Sequence, residues 1–102
     1  MACGVFDVIR CVIDISDKVS FRVTGHAPSA GDGWNVVCGL ASMLAQVAAT
    51  GCSENCDCYK EYSYGKGELE FECERNDRTV AIVRAIEAGF DDLKDKFPEC
   101  FE

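Results

Sequence analysis

The sequence has no excess of basic charge. Lysine and arginine together number 10, against 18 aspartates and glutamates, which gives a formal net charge of -8 over 102 residues. Nonspecific binding to nucleic acid needs a basic surface, so the composition argues against direct nucleic-acid binding. An acidic surface keeps a protein soluble, and it also attracts a basic partner over a long range.

Targeting segments and membrane spans are not evident either. Residues 1–7 lack the basic segment and the following apolar stretch of a signal peptide, and we expect no apolar run long enough to cross a bilayer. We find no repeat, linker or low-complexity block, so residues 1–102 are expected to form a single domain. The expectation is a cytoplasmic protein with no membrane contact and no cofactor.

Cysteine, by contrast, is abundant, with eight residues in the chain. Several cysteines lie inside strand or helix patterns, where they behave as small buried hydrophobes, and this favours reduced thiols. A zinc site or a redox-labile disulfide remains an alternative for Cys52, Cys56, Cys58 and Cys73. The C-x3-C-x-C spacing of the first three differs from the usual C-x2-C knuckle, so we favour ordinary thiols and no bound metal.

Hydrophobic periodicity predicts the element order β-β-α-β-β-α. The predicted segments are residues 4–15, 19–24, 36–50, 59–64, 68–74 and 77–97. This order is typical of an α+β fold, here an antiparallel-rich four-stranded sheet with two helices packed on one face. The first helix is apolar nearly all round, which predicts that it is buried on both sides.

The only histidine, His26, lies at the end of the second predicted strand, and a loop of small residues follows it. Asn35 is a plausible N-cap, so Cys38 is expected in the first turn of the next helix. The helix dipole and free N–H groups at such a position stabilise a thiolate, and an imidazolium lowers the thiol pKa further. A cysteine hydrolase requires at least such a thiol and a histidine close to it.

Other residues near this pair have candidate supporting roles. Asp32 and Asn35 are both candidates to orient the imidazole, and Ser42 is predicted one turn after Cys38 on the same helix face. First-turn amides are candidates for an oxyanion hole. Trp34 either contacts the substrate or anchors the loop. The alternative interpretation is that Cys38 only packs in the core, because cysteine–histidine pairs at unknown distance are common.

This segment resembles the signature of the ribosomal-processing cysteine protease family, Prp. The residues that match it without a gap are Gly25, His26, Ala27, Gly33, Val36, Val37, Cys38 and Ser42. The chain length, the element order and the terminal amphipathic helix are similar as well. The chain departs from the family at Asn35, where an aspartate is usual. An amide can orient or cap at this position, but it does not stabilise an imidazolium by charge.

The resemblance implies a homodimeric α+β endopeptidase that removes an N-terminal extension from a bacterial large-subunit ribosomal protein during ribosome assembly. It also implies that Cys38 is the nucleophile, that His26 is the base and that residues 27–34 form a mobile segment over the substrate channel. The alternative function is a non-catalytic, ribosome-associated binding protein with the same fold.

An acidic face on the fourth predicted strand has two interpretations. It consists of Glu68, Glu70, Glu72 and Glu74, which alternate with apolar residues. Such a face can dock a basic ribosomal protein. It can also be a solvated strand surface that discourages edge aggregation, and this is the interpretation we favour.

Overall fold

The computed structural model describes residues 8–25, 32–62 and 68–102, with the backbone alone for residues 32–35. Its elements are β1 (Arg10–Ile15), β2 (Lys18–Thr24), α1 (Asp32–Glu54), β3 (Tyr59–Tyr62), β4 (Leu69–Glu74), α2 (Asp77–Lys96) and a short 3-10 helix at Pro98–Cys100. The predicted α+β class and the β-β-α-β-β-α order are confirmed.

The four strands form one antiparallel sheet in the order β1-β2-β4-β3. Because β4 lies inside the sheet, its acidic face does not protect a sheet edge, and that part of our interpretation is wrong. Its glutamates lie opposite basic residues on both neighbouring strands: Arg22 faces Glu70, and Lys60 faces Glu72. Cross-strand pairs of opposite charge stabilise a sheet, so part of the acidic face serves the sheet itself.

Alternate residues of the central strands point into the core. They are Val19, Phe21 and Val23 of β2 and Leu69, Phe71 and Cys73 of β4, all buried. The rings of Phe21 and Phe71 stack with their centroids 5.2 Å apart. Both helices cover this face of the sheet, because period-2 alternation gives each strand one apolar face that must be buried.

Helix α2 begins with a capping box. The Asn76 side chain accepts a hydrogen bond from the Thr79 amide at 2.8 Å, and the Thr79 hydroxyl accepts one from the Asn76 amide at 2.9 Å. These reciprocal bonds satisfy donors that the first helical turn leaves without intrahelical partners. The buried stripe of α2 then runs through Val83, Ile86 and Phe90, as the amphipathic pattern predicts.

Helix α1 is longer at both ends than the sequence predicts. It begins at Asp32, so Asn35 is not its N-cap, and it continues to Glu54 through a segment predicted to be irregular. Packing explains the C-terminal extension, since Cys52 is fully buried and a Cβ at Gly51 would lie only 3.3 Å from Cγ2 of Ile82 on α2. Tertiary contacts of this kind override the weak helix propensity of glycine and serine. The Asn55 side chain then donates to the Gly51 carbonyl at 2.7 Å.

The two apolar faces of α1 have opposite environments. We name as the small face the buried residues Cys38, Ala41, Ala45, Ala48, Ala49 and Cys52. We name as the large face Val36, Leu40, Met43 and Val47, whose side chains are between 46% and 62% exposed. The prediction that this helix is buried on both sides is therefore wrong for the single chain.

One further expectation about α1 needs correction. The stretch Val36–Glu54 is long and apolar enough to cross a membrane by length and composition, so the expectation that the chain contains no such run is wrong. Core helices of soluble proteins pass the same test. Here the small face packs within the same hydrophobic core as the sheet residues, which is the environment of a core helix.

Candidate active site

Cys38 lies on the small face of α1 and is only 6% exposed. Because α1 begins at Asp32 and a helix has about 3.6 residues per turn, Cys38 lies in the second turn. The prediction of a first-turn position is therefore wrong. The influence of the helix dipole falls off beyond the first turn, so it acts less on this thiol than the sequence pattern predicts.

Ser42 lies on α1, four residues after Cys38, and it is half-buried. Residues four apart are neighbours on one helix face, so the predicted placement of Ser42 beside Cys38 is confirmed. The serine therefore offers a polar group on the otherwise apolar small face.

Gly25 directly follows the end of β2 and has a φ of 90°. A Cβ at this position would lie 2.1 Å from the Val8 carbonyl oxygen. Glycine is thus required both by the left-handed backbone and by the close approach of Val8. The predicted strand end just before His26 is confirmed, and Gly25 sets the direction in which the chain leaves the sheet.

Residues 100–102, at the opposite end of the described chain, support the position of Gly25. The sequence analysis did not predict this contact. Ile9 donates its amide to the Cys100 carbonyl at 2.8 Å and accepts from the Glu102 amide at 3.0 Å. Ile9 and Phe101 form a parallel bridge, and Arg10 pairs with Glu102. Residues 100–102 thus hold the stretch against which Gly25 packs.

Several predicted site residues lie outside the described part of the chain. His26 and Ala27 do so entirely, and for Asp32, Gly33, Trp34 and Asn35 only the backbone is described, within α1. The pairing of His26 with Cys38, the choice between Asp32 and Asn35 as the orienting residue and the role of Trp34 stay predictions.

Most of the described cysteines carry thiols outside any disulfide. These residues are Cys11, Cys38, Cys52, Cys56, Cys58 and Cys73. Cys100 is disulfide-bonded, so the expectation of reduced thiols is wrong there. Disulfides are typical of oxidising compartments. Within residues 8–25, 32–62 and 68–102, no cluster of three or more histidine, cysteine or acidic side chains is arranged to hold a metal ion.

Burial suppresses the reactivity of two of these thiols. It raises the pKa of Cys73 to about 12, with the neighbouring Cys52 thiol as a second cause. Burial also raises the pKa of Cys11 to about 12, reinforced by the carboxylate of Glu87. The thiolate is the nucleophilic form of cysteine, so both side chains are almost entirely protonated at neutral pH and react slowly. A reactive Cys38 should therefore stand out against them.

The structure places a buried thiol on the helix that follows β2, which is the arrangement expected of an α+β cysteine hydrolase. The family model described as cysteine protease Prp matches residues 8–102. The chain belongs to this family of cysteine proteases. No curated protein matches the chain.

Solved structures agree with this assignment at the level of the fold. SMU.848 from Streptococcus mutans is 19% identical with a TM-score of 0.77, covering 94% of this chain and 91% of that chain. The ribosomal processing protease Prp from S. aureus, in complex with a substrate peptide, is 17% identical with a TM-score of 0.75, covering 93% and 96%. The same protease with a covalently linked product peptide has a TM-score of 0.73 at 18% identity, covering 93% and 96%.

Proposed function

We propose that this chain is an endopeptidase that removes the N-terminal extension of a bacterial large-subunit ribosomal protein. Family membership supports the class of reaction, and the S. aureus relative has been solved with a substrate peptide and with a covalently linked product peptide. The observation that carries the proposal is the position of Cys38, on the helix that follows Gly25 and one turn before Ser42. Because ribosomal proteins are made in the cytoplasm, we propose that the enzyme acts there.

The proposed mechanism is covalent catalysis by a thiolate. His26 takes the proton of the Cys38 thiol, and the thiolate attacks the scissile carbonyl carbon. Amides of the first turn of α1, residues 32–35, are the candidate donors for the oxyanion of the tetrahedral intermediate. The His26 imidazolium then protonates the leaving amine, and a water activated by His26 hydrolyses the thioester.

The second-turn position of Cys38 has a consequence for how its thiol is activated. Because the helix dipole acts mainly within the first turn, the imidazolium of His26 has to supply most of the stabilisation of the thiolate. We therefore expect His26→Ala to slow alkylation of Cys38 at neutral pH by about 100-fold, since an adjacent imidazolium is among the strongest known causes of a depressed thiol pKa.

The test is incubation of the unprocessed ribosomal protein with the parent chain, followed by intact mass measurement. The parent is expected to release one N-terminal peptide, whereas Cys38→Ala and His26→Ala release none. Cys58→Ala is the matched control, because Cys58 is an exposed thiol outside the site, and it should cleave as the parent does. If the folded parent binds the substrate without cleaving it, the non-catalytic binding protein becomes the better hypothesis.

We also infer that the protein forms a homodimer through the large face of α1. Contiguous exposed apolar surface is rare on monomers and usually marks an interaction site. From Val36 to Thr50 the helix has no charged residue, so two copies of this face meet without burying an unpaired charge. A two-fold axis across the helix brings the same residues of both chains together.

Sedimentation velocity tests this inference. Met43→Lys together with Val47→Lys is expected to convert a dimer into a monomer, because two charges per chain would be buried at the interface. The matched control is Val12→Lys, which changes a side chain that is 49% exposed on β1 and should leave the dimer intact. A parent that sediments as a monomer at all concentrations contradicts the inference.

A further inference from the structure

Three thiols outside the proposed active site meet beneath the C-terminal end of α1. Cys52 lies in the last turns of α1, Cys56 follows the helix, and Cys73 lies in β4. The Cys73 thiol forms side-chain hydrogen bonds with both Cys52 and Cys56. Nothing in the proposed protease mechanism uses these three side chains, which lie at the opposite end of α1 from Cys38.

The backbone of the sheet fixes the position of the Cys56 thiol. Its sulfur donates to the Cys58 carbonyl at 3.3 Å, and the same carbonyl accepts the Glu74 amide at 2.9 Å. Glu74 directly follows Cys73 in β4. The hydrogen bonds that begin the β3–β4 pairing therefore also hold the sulfurs of Cys56 and Cys73 beside each other.

The three thiols differ in their access to solvent. Cys52 and Cys73 are buried, whereas Cys56 is half-buried. A small oxidant can therefore react with Cys56 first. The buried Cys73 thiol contacts Cys56 and can then react with it in a second step. Cys52 contacts Cys73 as well, but its burial leaves it without a direct approach from solvent.

We propose that Cys56 and Cys73 form a reversible disulfide by exchange with a low-molecular-weight disulfide. The Cys56 thiolate attacks one sulfur of the small disulfide, which forms a mixed disulfide and releases one small thiolate. The Cys73 thiolate then attacks the Cys56 sulfur, forms the protein disulfide and releases the second small thiolate. Two protein thiols are oxidised, and one small disulfide is reduced to two thiols.

A disulfide between Cys56 and Cys73 would link the segment that follows α1 covalently to β4, a central strand of the sheet. Closing the loop between Cys56 and Cys73 restricts the unfolded chain, and for a loop of this size we expect the Tm to rise by about 10 °C. The second exchange step needs the Cys73 thiolate, whose pKa is raised by burial. Below that pKa the thiolate fraction increases about tenfold per pH unit, and the rate of closure should increase with it.

The experiment treats the full chain carrying Cys38→Ala, so that the proposed nucleophile does not react, with oxidised glutathione at several pH values. After quenching in acid and alkylation, we expect a loss of about 2 Da, a cross-linked peptide pair containing Cys56 and Cys73, and reversal by a dithiol reductant. Circular dichroism reports folding and the rise in Tm.

Two sets of variants make the outcome decisive. Cys58→Ser should oxidise as the parent does, whereas Cys56→Ser and Cys73→Ala should form no internal disulfide. A persistent mixed disulfide at Cys56 would overturn the proposal, because it would show that Cys73 does not resolve it. A disulfide between Cys52 and Cys73, or no oxidation at all in the folded protein, would overturn it as well.

Discussion

The small face and the large face of α1 are almost equally apolar, yet one is buried and the other is exposed. Apart from Val37, the buried side chains of α1 are alanine and cysteine, whereas those of the large face are valine, leucine and methionine. The sheet already presents the stacked rings of Phe21 and Phe71 to the core, which favours small side chains on the part of α1 that packs closest to it. Most of the buried α1 side chains are thus small, and most of its large apolar side chains are exposed.

This difference has a consequence for the proposed active site. Cys38 is one of the small residues, and it shares the buried face with Ala41 and Ala45. A nucleophile on a helix that packs closely against a sheet has little freedom to shift, and catalytic groups are held best by such rigid elements. The same close packing leaves the large face available for a partner.

The largest expected effect comes from placing the same large side chain on each face in turn, at two adjacent positions. Ala48 is fully buried, so Ala48→Met overpacks the contact with the core and should lower the free energy of unfolding by about 3 kcal/mol. Val47→Met places the same side chain on the exposed large face and should change it by less than about 0.5 kcal/mol. Urea denaturation of both variants, at a protein concentration at which sedimentation velocity shows the monomer, measures the difference, and equal losses would contradict the comparison.

Alkaline pH should act through the core against which the small face packs, because the large face has no titratable group. The pKa of Cys73 is raised from the ordinary 9.0 of a cysteine thiol to about 12, which favours the protonated thiol in the folded chain. This stabilisation is complete below about pH 9 and is lost as the pH rises toward about 12, by at most about 1.4 kcal/mol per pH unit.

Denaturation at about pH 8 and about pH 10 tests this linkage. The parent should lose about 1 kcal/mol more stability over this range than Cys73→Ala, which lacks the titrating group. The same slope in both proteins would show that Cys73 does not carry the effect. Cys11→Ala is a useful companion, because burial raises the pKa of Cys11 as well.

The smallest expected effect concerns two helical glycines. A Cβ at Gly39 meets no atom within 4 Å, whereas a Cβ at Gly89 lies 3.0 Å from Cδ2 of Leu44. Gly39→Ala should therefore stabilise the fold by about 0.8 kcal/mol, because alanine restricts the unfolded chain. Gly89→Ala should gain less or lose stability. Thermal unfolding in the background of Met43→Lys together with Val47→Lys keeps dimerisation out of the measurement, and a larger gain at Gly89 would contradict this expectation.

Local periodicity is sufficient to predict most of the fold. The alternation in β2 and β4 predicts their buried faces, and the spacing of Val83, Ile86 and Phe90 predicts the buried stripe of α2. The limits of α1 could not be predicted in the same way, because Gly51 and Cys52 become helical through contacts with distant residues. The exposure of the large face depends likewise on how much room the sheet leaves.

In the candidate site, too, some features follow from the local sequence pattern and others depend on distant contacts. The positions of Gly25 at a strand end and of Ser42 one turn after Cys38 follow from local pattern. The prediction of the helical turn that carries Cys38 is wrong, because Asn35 resembles an N-cap although the helix begins at Asp32. The support of Gly25 by residues 100–102 involves partners 92 residues apart, and no local pattern indicates a contact at that separation.

That long-range contact also has a consequence for synthesis on the ribosome. Ile9 emerges early, whereas its partners at Cys100 and Glu102 are added roughly 5 to 20 s later at ordinary elongation rates. During this interval the nascent chain can form its local helices, but the C-terminal residues that hold Val8 against Gly25 have not yet been made. The end of β2 can pair with β1 early, but the order of translation keeps Gly25 without its C-terminal support until almost all of the described chain has been made.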